Sequence, residues 1–505
     1  MQSIRRIGVI DLGSNSARLV LVDVYPSGGF HVIDELKESV RLAQDMDDDG
    51  RLLPRRIRQT IQTLLMFKRL CEANGVTEII AVATAAVRRA RNQRSFLDEL
   101  THATGLELRV LTEEEECFYI HQAVINSFDY PDGLIVDIGG GSVELILMER
   151  KQMKEWITLP YGAVTLTDRF DLRDKVSAEQ LGALQAFLRE ELERIPWLQR
   201  AEGMRLIGVG GSFRNLGKIA RRRSRYPLDI AHNYTMEAED AKLVHESLLR
   251  MDLGKRMRIP GLSNERADIF LAASTIGNAI TELCHVSQVV ISGAGLREGI
   301  IFQQVIPRPK DKPIDDVLEY SLTAITERLS FNVEHCRRVY QLSQCMFDQL
   351  RSLHKLPASM RRVLKAAAML HDCGGVVSYY NHQRHACYLI LNSNIYGLTH
   401  RELAIAAFVA SGHRRDELRK DWSRYAGVLQ ENDGDIILKL GVLVRIAECF
   451  DRSMSGIIDE VPCDILGDSV IMKTQGNGEP ALEIKDALTA GPMFKRAYGK
   501  NLVIL

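Results

Sequence analysis

"IVDIGGGSVELI", residues 135–146, runs from an apolar strand through Asp137 into three glycines and out into a second apolar strand. Glycine reaches backbone angles closed to other residues, so a tight hairpin turn accounts for the triplet. The turn alone gives Asp137 no reason to be there. "VIDLGSNSARLVLV", residues 9–22, has the same layout: an apolar strand, Asp11, the small polar turn Gly13, Ser14, Asn15 and Ser16, then a second apolar strand. Sliding one stretch onto the other pairs Asp11 with Asp137, Gly13 with Gly139 and Ser16 with Ser142, an offset of 137 − 11 = 126 residues. Matching punctuation at two places predicts a duplicated domain.

Around each hairpin the order strand, glycine turn, helix recurs, which predicts an α/β class. Residues 1–128 form the first unit, with a helix from Pro54 to Cys71, the strand "EIIAVAT" and an arginine-rich helix from about Ala85. Residues 129–306 form the second, with further glycine turns in "LIGVGGSF" and "VVISGAGLREG". "IPRPKDKP", residues 306–313, has three prolines and reads as a linker. From 314 to 458 helical periodicity takes over, predicting an all-α domain. Residues 459–505 carry the β-like runs "SVIMKT", "ALEIK" and "NLVIL" and read as a small α+β cap.

A chain of 505 residues is too long for one core. Its formal net charge of −1 supplies no long-range pull on a polyanion, which argues against a generic nucleic-acid binder. The nine cysteines are scattered, without a C-x-x-C pair, and read as free thiols in a reducing compartment. The first residues, "MQSIRRIGVID", lack the apolar core of a signal peptide, and apolar runs elsewhere fall short of the ~20 residues that cross a bilayer. A cytoplasmic protein without a membrane span is expected.

Backbone amides of a glycine-rich turn converge on anions, and small side chains let phosphate oxygens approach. Two such turns, each after an aspartate, form a stronger signal than one. Carboxylate beside phosphate needs a cation, and Mg²⁺ binds one or two carboxylates plus phosphate oxygens. Asp137 and Glu144 are the pair expected to hold it. In "VLTEEEECFYI", Thr112 and Glu115 have capping-box spacing, so helix initiation explains much of the acidic run. It explains Glu116 less well, and a carboxylate facing a cleft can take a proton from water. Thr84 is read as a helix cap at the end of a strand, and Arg88, one turn on, as a phosphate clamp. Arg89, Arg91 and Arg94 are read as a solvated face.

"DLGSNS", the Thr84 to Asn92 spacing T-x-x-x-R-x-x-x-N, "EEEC", "DIGGGSVEL", "GVGGS" and "SGAGLREG" occur in order over residues 5–305. Together they resemble the exopolyphosphatase and guanosine pentaphosphate phosphatase (Ppx/GppA) family. The resemblance implies two ribonuclease-H-like domains, as in the actin-like ATPases, with a cleft between them. By position, Glu116 matches the family's general base, and Asp137 and Glu144 match its magnesium-associated carboxylates. The phosphate-holding set it implies is Asp11, Gly13, Ser14, Asn15, Ser16, Thr84, Arg88, Gly139, Gly140, Gly141 and Ser142, extended by Gly210, Gly211 and Ser212. Cys117 stands where alanine or glycine is usual, and Arg18 where many members have histidine. The implied reaction is attack of water on the end phosphoryl group of inorganic polyphosphate or of guanosine pentaphosphate, by a homodimer. A non-catalytic sensor of these ligands and an ATP-driven kinase-like protein are the alternatives.

In the helical half, His335, the pair His371 and Asp372, and Glu448 echo the HD-domain phosphohydrolases, with Asp451 as a substitute for Glu448. Helical histidines are more often packed than ligating, so an HD-like domain without metal is the favoured reading, extending the substrate path. His382, Arg384, His385, His413 and Arg414 form a cationic run that would steer a polyanion or merely be solvated. "RRRSR", residues 221–225, is either a second such contact or an exposed loop, and the loop is the favoured reading.

Overall fold

The computed structural model of the protein describes residues 4–42, 50–305, 312–414 and 422–505. Most of the linker read at 306–313 therefore lies outside the described residues. The chain divides into two compact units: residues up to Ser224 with Ala231–Asp315, and Arg225–Ile230 with Asp316–Leu505.

The first unit holds two sheets. One contains β1 (Arg5–Leu12), β2 (Ala17–Val24), β3 (Phe30–Glu38), β4 (Glu78–Ala83) and β5 (Leu108–Val110), in the order β3-β2-β1-β4-β5. The other contains β6 (Gly133–Ile138), β7 (Val143–Glu149), β8 (Gln152–Leu159), β9 (Leu206–Val209), β10 (Tyr234–Glu237) and β11 (Gln288–Ile291), in the order β10-β11-β9-β6-β7-β8. Read outward from the hairpins, both sheets repeat one plan. Three antiparallel strands lead to parallel neighbours, β4 beside β1 and β9 beside β6. The second adds β10 at its edge, antiparallel to β11.

β1 is central, so both its faces are covered and its alternating residues enter different cores. Ile10 and Leu12 pack with Leu64 and Phe67 of the helix Pro54–Ala73. Ile7 and Val9 pack with Tyr119, Ile300 and Ile301. Tyr119 belongs to the helix Glu113–Ile125, whose Cys117, Ile120 and Val124 pack against Ile135, Ile146 and Ile207 of the other sheet. One helix is thus gripped by both lobes. The helix Leu296–Val305 lies against it at Gly299, where a Cβ would sit 1.8 Å from the Tyr119 carbonyl oxygen.

Three sequence expectations need correction here. The arginine-rich helix is two helices, Ala85–Arg89 and Gln93–Thr104, broken at Ala90 in extended conformation. "RRRSR" is only partly an exposed loop: Arg221 to Arg223 end the helix Gly210–Arg223 and buried Arg221 sits over the Tyr234 ring at 5.5 Å, while residues 222–225 are exposed and the last two form a turn. "ALEIK" is helical, within Ala481–Ala487, with Glu483 and Ala487 on its buried side at helical spacing.

The second unit is built from helices, among them Val333–Gln349, Met360–Leu370, His382–Leu391, His400–Ser411 and Asp433–Phe450. After them come the strands Cys463–Leu466, Ser469–Met472 and Asn501–Ile504, which form one sheet. Val470, Met472 and Phe494 share a core with Leu440, Val444 and Phe408, so the terminal segment is packed into the helical body.

Candidate active site

The two glycine turns are built alike. Gly13 N–H donates to the Ser16 carbonyl at 3.1 Å, and Gly139 N–H donates to the Ser142 carbonyl at 3.0 Å. They also meet: a Cβ on Gly141 would sit 2.6 Å from Ser14 Oγ, and one on Gly140 would sit 3.3 Å from Asn15 Cβ. Together they line a cavity of about 110 Å³. Of the expected residues, Asp11, Gly13, Ser14, Asn15, Ser16, Thr84, Glu116, Asp137, Gly139, Gly140, Gly141, Ser142, Glu144, Gly210 and Gly211 all face it. Arg88 and Ser212 do not.

Ser212 turns away and donates to the Ile138 carbonyl at 2.8 Å. Arg88 Nη1 donates to Glu116 Oε2 and to the Leu111 carbonyl, both at 2.9 Å. Thr84 stands at the N-cap position but makes no side-chain cap bond. The capping box is as expected: Thr112 Oγ1 accepts from Glu115 N–H at 3.1 Å, and Glu115 Oε2 accepts from Thr112 N–H at 2.9 Å. Glu115 is thereby committed to the helix end, which leaves Glu116, the next residue, to turn inward.

Four arginines on the same cavity, Arg18, Arg214, Arg266 and Arg297, were not among the expected site residues. Arg18 lies directly across the β1–β2 ladder from Asp11, as Glu144 lies across β6–β7 from Asp137. The offset is again 144 − 18 = 126, so one hairpin carries a cation where its copy carries an anion. Arg297 is buried and pairs with Glu35 at 2.7 Å. Arg266 donates to Ser212 Oγ at 3.3 Å.

These charges act on one another. Burial raises Glu116 to about 7, opposed by Arg88 and assisted by Asp11 and Asp137. Enclosure in the cleft also raises Asp11 and Asp137, and burial beside Glu116 and Asp137 lifts Glu144 well above the carboxylate range. Burial and the neighbouring arginines depress Arg18 to about 9 and Arg266 to about 10. The enclosed acids thus resist ionising, and Arg18 and Arg266 hold their protons less firmly than in water. Glu144 Oε1 is buried without a hydrogen-bond partner. The helix Gly210–Arg223 begins at the cavity edge, and its first amides favour an anion there. Gly210 has φ +79, and a Cβ on it would lie 2.2 Å from Asp137 Oδ1. Behind this helix lies a mostly apolar recess lined by Phe213, Leu216 and Phe270, with His245 and Asn278 at its wall.

In the second unit the expected residues separate. Ligand atoms of His335, His371 and Asp372 lie within 4.8 Å of one another. Glu448 stays apart from them, with Oε1 held by Arg414 at 3.2 Å and Arg452 at 3.6 Å. Asp451 accepts from His335 Nδ1 at 2.8 Å. His382 and His413, expected in an exposed cationic run, are buried and meet each other through Nε2 at 3.0 Å.

All nine cysteines are free. Among the described residues no helix is long and apolar enough to cross a membrane.

The family model described as Ppx/GppA phosphatase matches residues 20–306, and the model of Ppx/GppA phosphatase domain III matches residues 317–477. A solved Ppx/GppA family member from Aquifex aeolicus is 29% identical, with a TM-score of 0.52 over 60% of this chain and 98% of that one. A second structure, of the Aquifex aeolicus PPX-GPPA enzyme, is 30% identical, with a TM-score of 0.51 over 59% of this chain and 99% of its own. An exopolyphosphatase from Cytophaga hutchinsonii shares the fold at 24% identity, with a TM-score of 0.56 over 61% of this chain and 100% of that one.

Proposed function

Because this chain belongs to the Ppx/GppA phosphatase family, we propose that it is a Mg²⁺-dependent exopolyphosphatase that releases orthophosphate from the ends of inorganic polyphosphate. The observation that carries this reading is the facing pair of Gly–Ser turns, which frames one cavity containing Glu116 and four arginines. Turn amides, the start of the helix Gly210–Arg223 and the arginines hold the terminal phosphoryl oxygens. Glu116 accepts a proton from water as its oxygen attacks the end phosphorus, and the bond to the bridging oxygen breaks. The shortened chain leaves with the electron pair. This chemistry depends on positioning and charge neutralisation more than on covalent help.

The residues fit a magnesium ion. Glu144 Oε1 lacks a partner, and the mutual repulsion of Glu116, Asp137 and Glu144 is what a cation relieves. Asp137 and Glu144 would hold it, and when bound it supplies charge neutralisation to the phosphate oxygens.

The ribonuclease-H-like reading of the two lobes rests on their repeated sheet plan. The helical half is read as HD-like and as a guide for long chains. The test is phosphate release from long-chain polyphosphate, guanosine pentaphosphate and ATP at matched concentrations. Polyphosphate turning over fastest is the expected outcome. Faster release from guanosine pentaphosphate would make the protein a nucleotide 5'-phosphohydrolase, and from ATP a nucleotidase; binding without turnover would make it a sensor.

A further inference from the structure

Three buried histidines of the second unit repeat one local device. His371 donates from Nδ1 to the Ala368 carbonyl at 2.7 Å, His382 to that of Tyr379 at 2.9 Å, and His413 to that of Ala410. A carbonyl only accepts, so each Nδ1 carries a proton and Nε2 is the atom left to each ring for other partners. The fourth ring, His335, bonds through Nδ1 to Asp451 at 2.8 Å, which leaves Nε2 as its remaining ligand atom. Outer bonds of this kind, to carbonyls and a carboxylate, orient imidazoles that bind metals.

Two of these Nε2 atoms meet, and a third has no partner. His382 Nε2 is 3.0 Å from His413 Nε2 and 3.3 Å from Asp372 Oδ1. His371 is fully buried and its Nε2 has no partner. A proton shared between His382 and His413 would relieve that pair, yet it leaves His371 unsatisfied. Ligand atoms of His335, His371 and Asp372 fall within 4.8 Å of one another, and so do those of Asp372, His382 and His413. Asp372 is common to both sets.

We propose that the second unit binds two first-row transition-metal ions, one on His335 and His371 and the other on His382 and His413, bridged by Asp372. Four imidazoles and one carboxylate suit Mn²⁺, Fe²⁺, Co²⁺ or Zn²⁺, whereas Mg²⁺ takes oxygen ligands. A bridging carboxylate is what paired ions about 3.5–4 Å apart require. This reverses the metal-free reading drawn from the sequence, and it is independent of the chemistry proposed for the first unit.

The test uses the full chain, stripped with a chelator and reloaded with Mn²⁺ or Co²⁺ in excess Mg²⁺, which keeps the front carboxylates occupied. Mass spectrometry of the bound metal should find about two ions per chain, and Tm should rise with metal concentration. Asp372→Asn should lose the pair, and His371→Gln or His413→Gln should weaken binding about tenfold or more. His385→Gln, outside both sets, should bind as the unaltered protein does. One ion or none on the unaltered chain, or a full pair on Asp372→Asn, overturns the proposal. Should the variants misfold, the visible absorption of the Co²⁺-loaded unaltered protein decides: a nitrogen-ligated spectrum upholds the site and its absence removes it.

Discussion

Arg88 Nη1 donates to Glu116 Oε2 at 2.9 Å. The carboxylate that burial raises to about 7 is thus aimed, and partly held ionised, by this guanidinium. The bond to Glu116 engages Nη1, while Arg88 Nε and Nη2 are buried without a hydrogen-bond partner.

Removing Arg88 withdraws the charge that lowers the Glu116 pKa, so that pKa rises further. Arg88→Gln should therefore move the acid limb of kcat/KM for phosphate release from near 7 to higher pH. Arg88→Lys, which keeps the charge, should shift it less. A limb unmoved in Arg88→Gln would sever the pair from catalysis.

Glu116→Gln keeps the shape and removes the proton acceptor. Turnover should fall by roughly 10² to 10⁴ with KM nearly unchanged, and the acid limb should flatten. Steady-state kinetics across pH 5–9 check both.

Asp137→Asn should raise the Mg²⁺ concentration for half-maximal activity by about tenfold or more. A magnesium titration of phosphate release measures this directly, and an unaltered curve would free Asp137 from the cation.

Charge-assisted hydrogen bonds contribute roughly 1.5–3 kcal/mol each, or about 10- to 150-fold in affinity. Arg214→Met and Arg266→Met should each raise KM by about that factor while changing kcat less. These arginines are enclosed, so added salt should reproduce little of the loss.

Gly210→Ala places a methyl group where Asp137 Oδ1 now lies, on a backbone of positive φ. Stability should fall by about 1 kcal/mol or more, and activity should fall further than the change in Tm accounts for, because Asp137 must move. Thermal unfolding and kinetics on the same preparation separate the two effects.

The hairpins, their aspartates and the capping box were legible because each is punctuated within a few residues. Glu116 was legible because Glu115 is used up by Thr112, which leaves the next carboxylate to be explained. Arg214, Arg266 and Arg297 were missed. They come from separate segments that meet at one cavity; Arg297 lies within the quoted "SGAGLREG", where a local signal was present and passed over, whereas Arg266 stands in no glycine turn. His382 and His413 were misjudged because, flanked by arginines, they look solvated, and only the packing of their helices buries them. "ALEIK" failed differently, since five residues fit a period of two as well as one of 3.6.

Copying a segment yields twins, and twins have no front or back. Here a single rung differs in sign, Arg18 in one copy and Glu144 in the other. On the proposed reading, a phosphate tail would be drawn toward Arg18 and repelled by Glu144 unless a cation came with it. Two turns built alike thus stand over matched positions of opposite charge in one cavity.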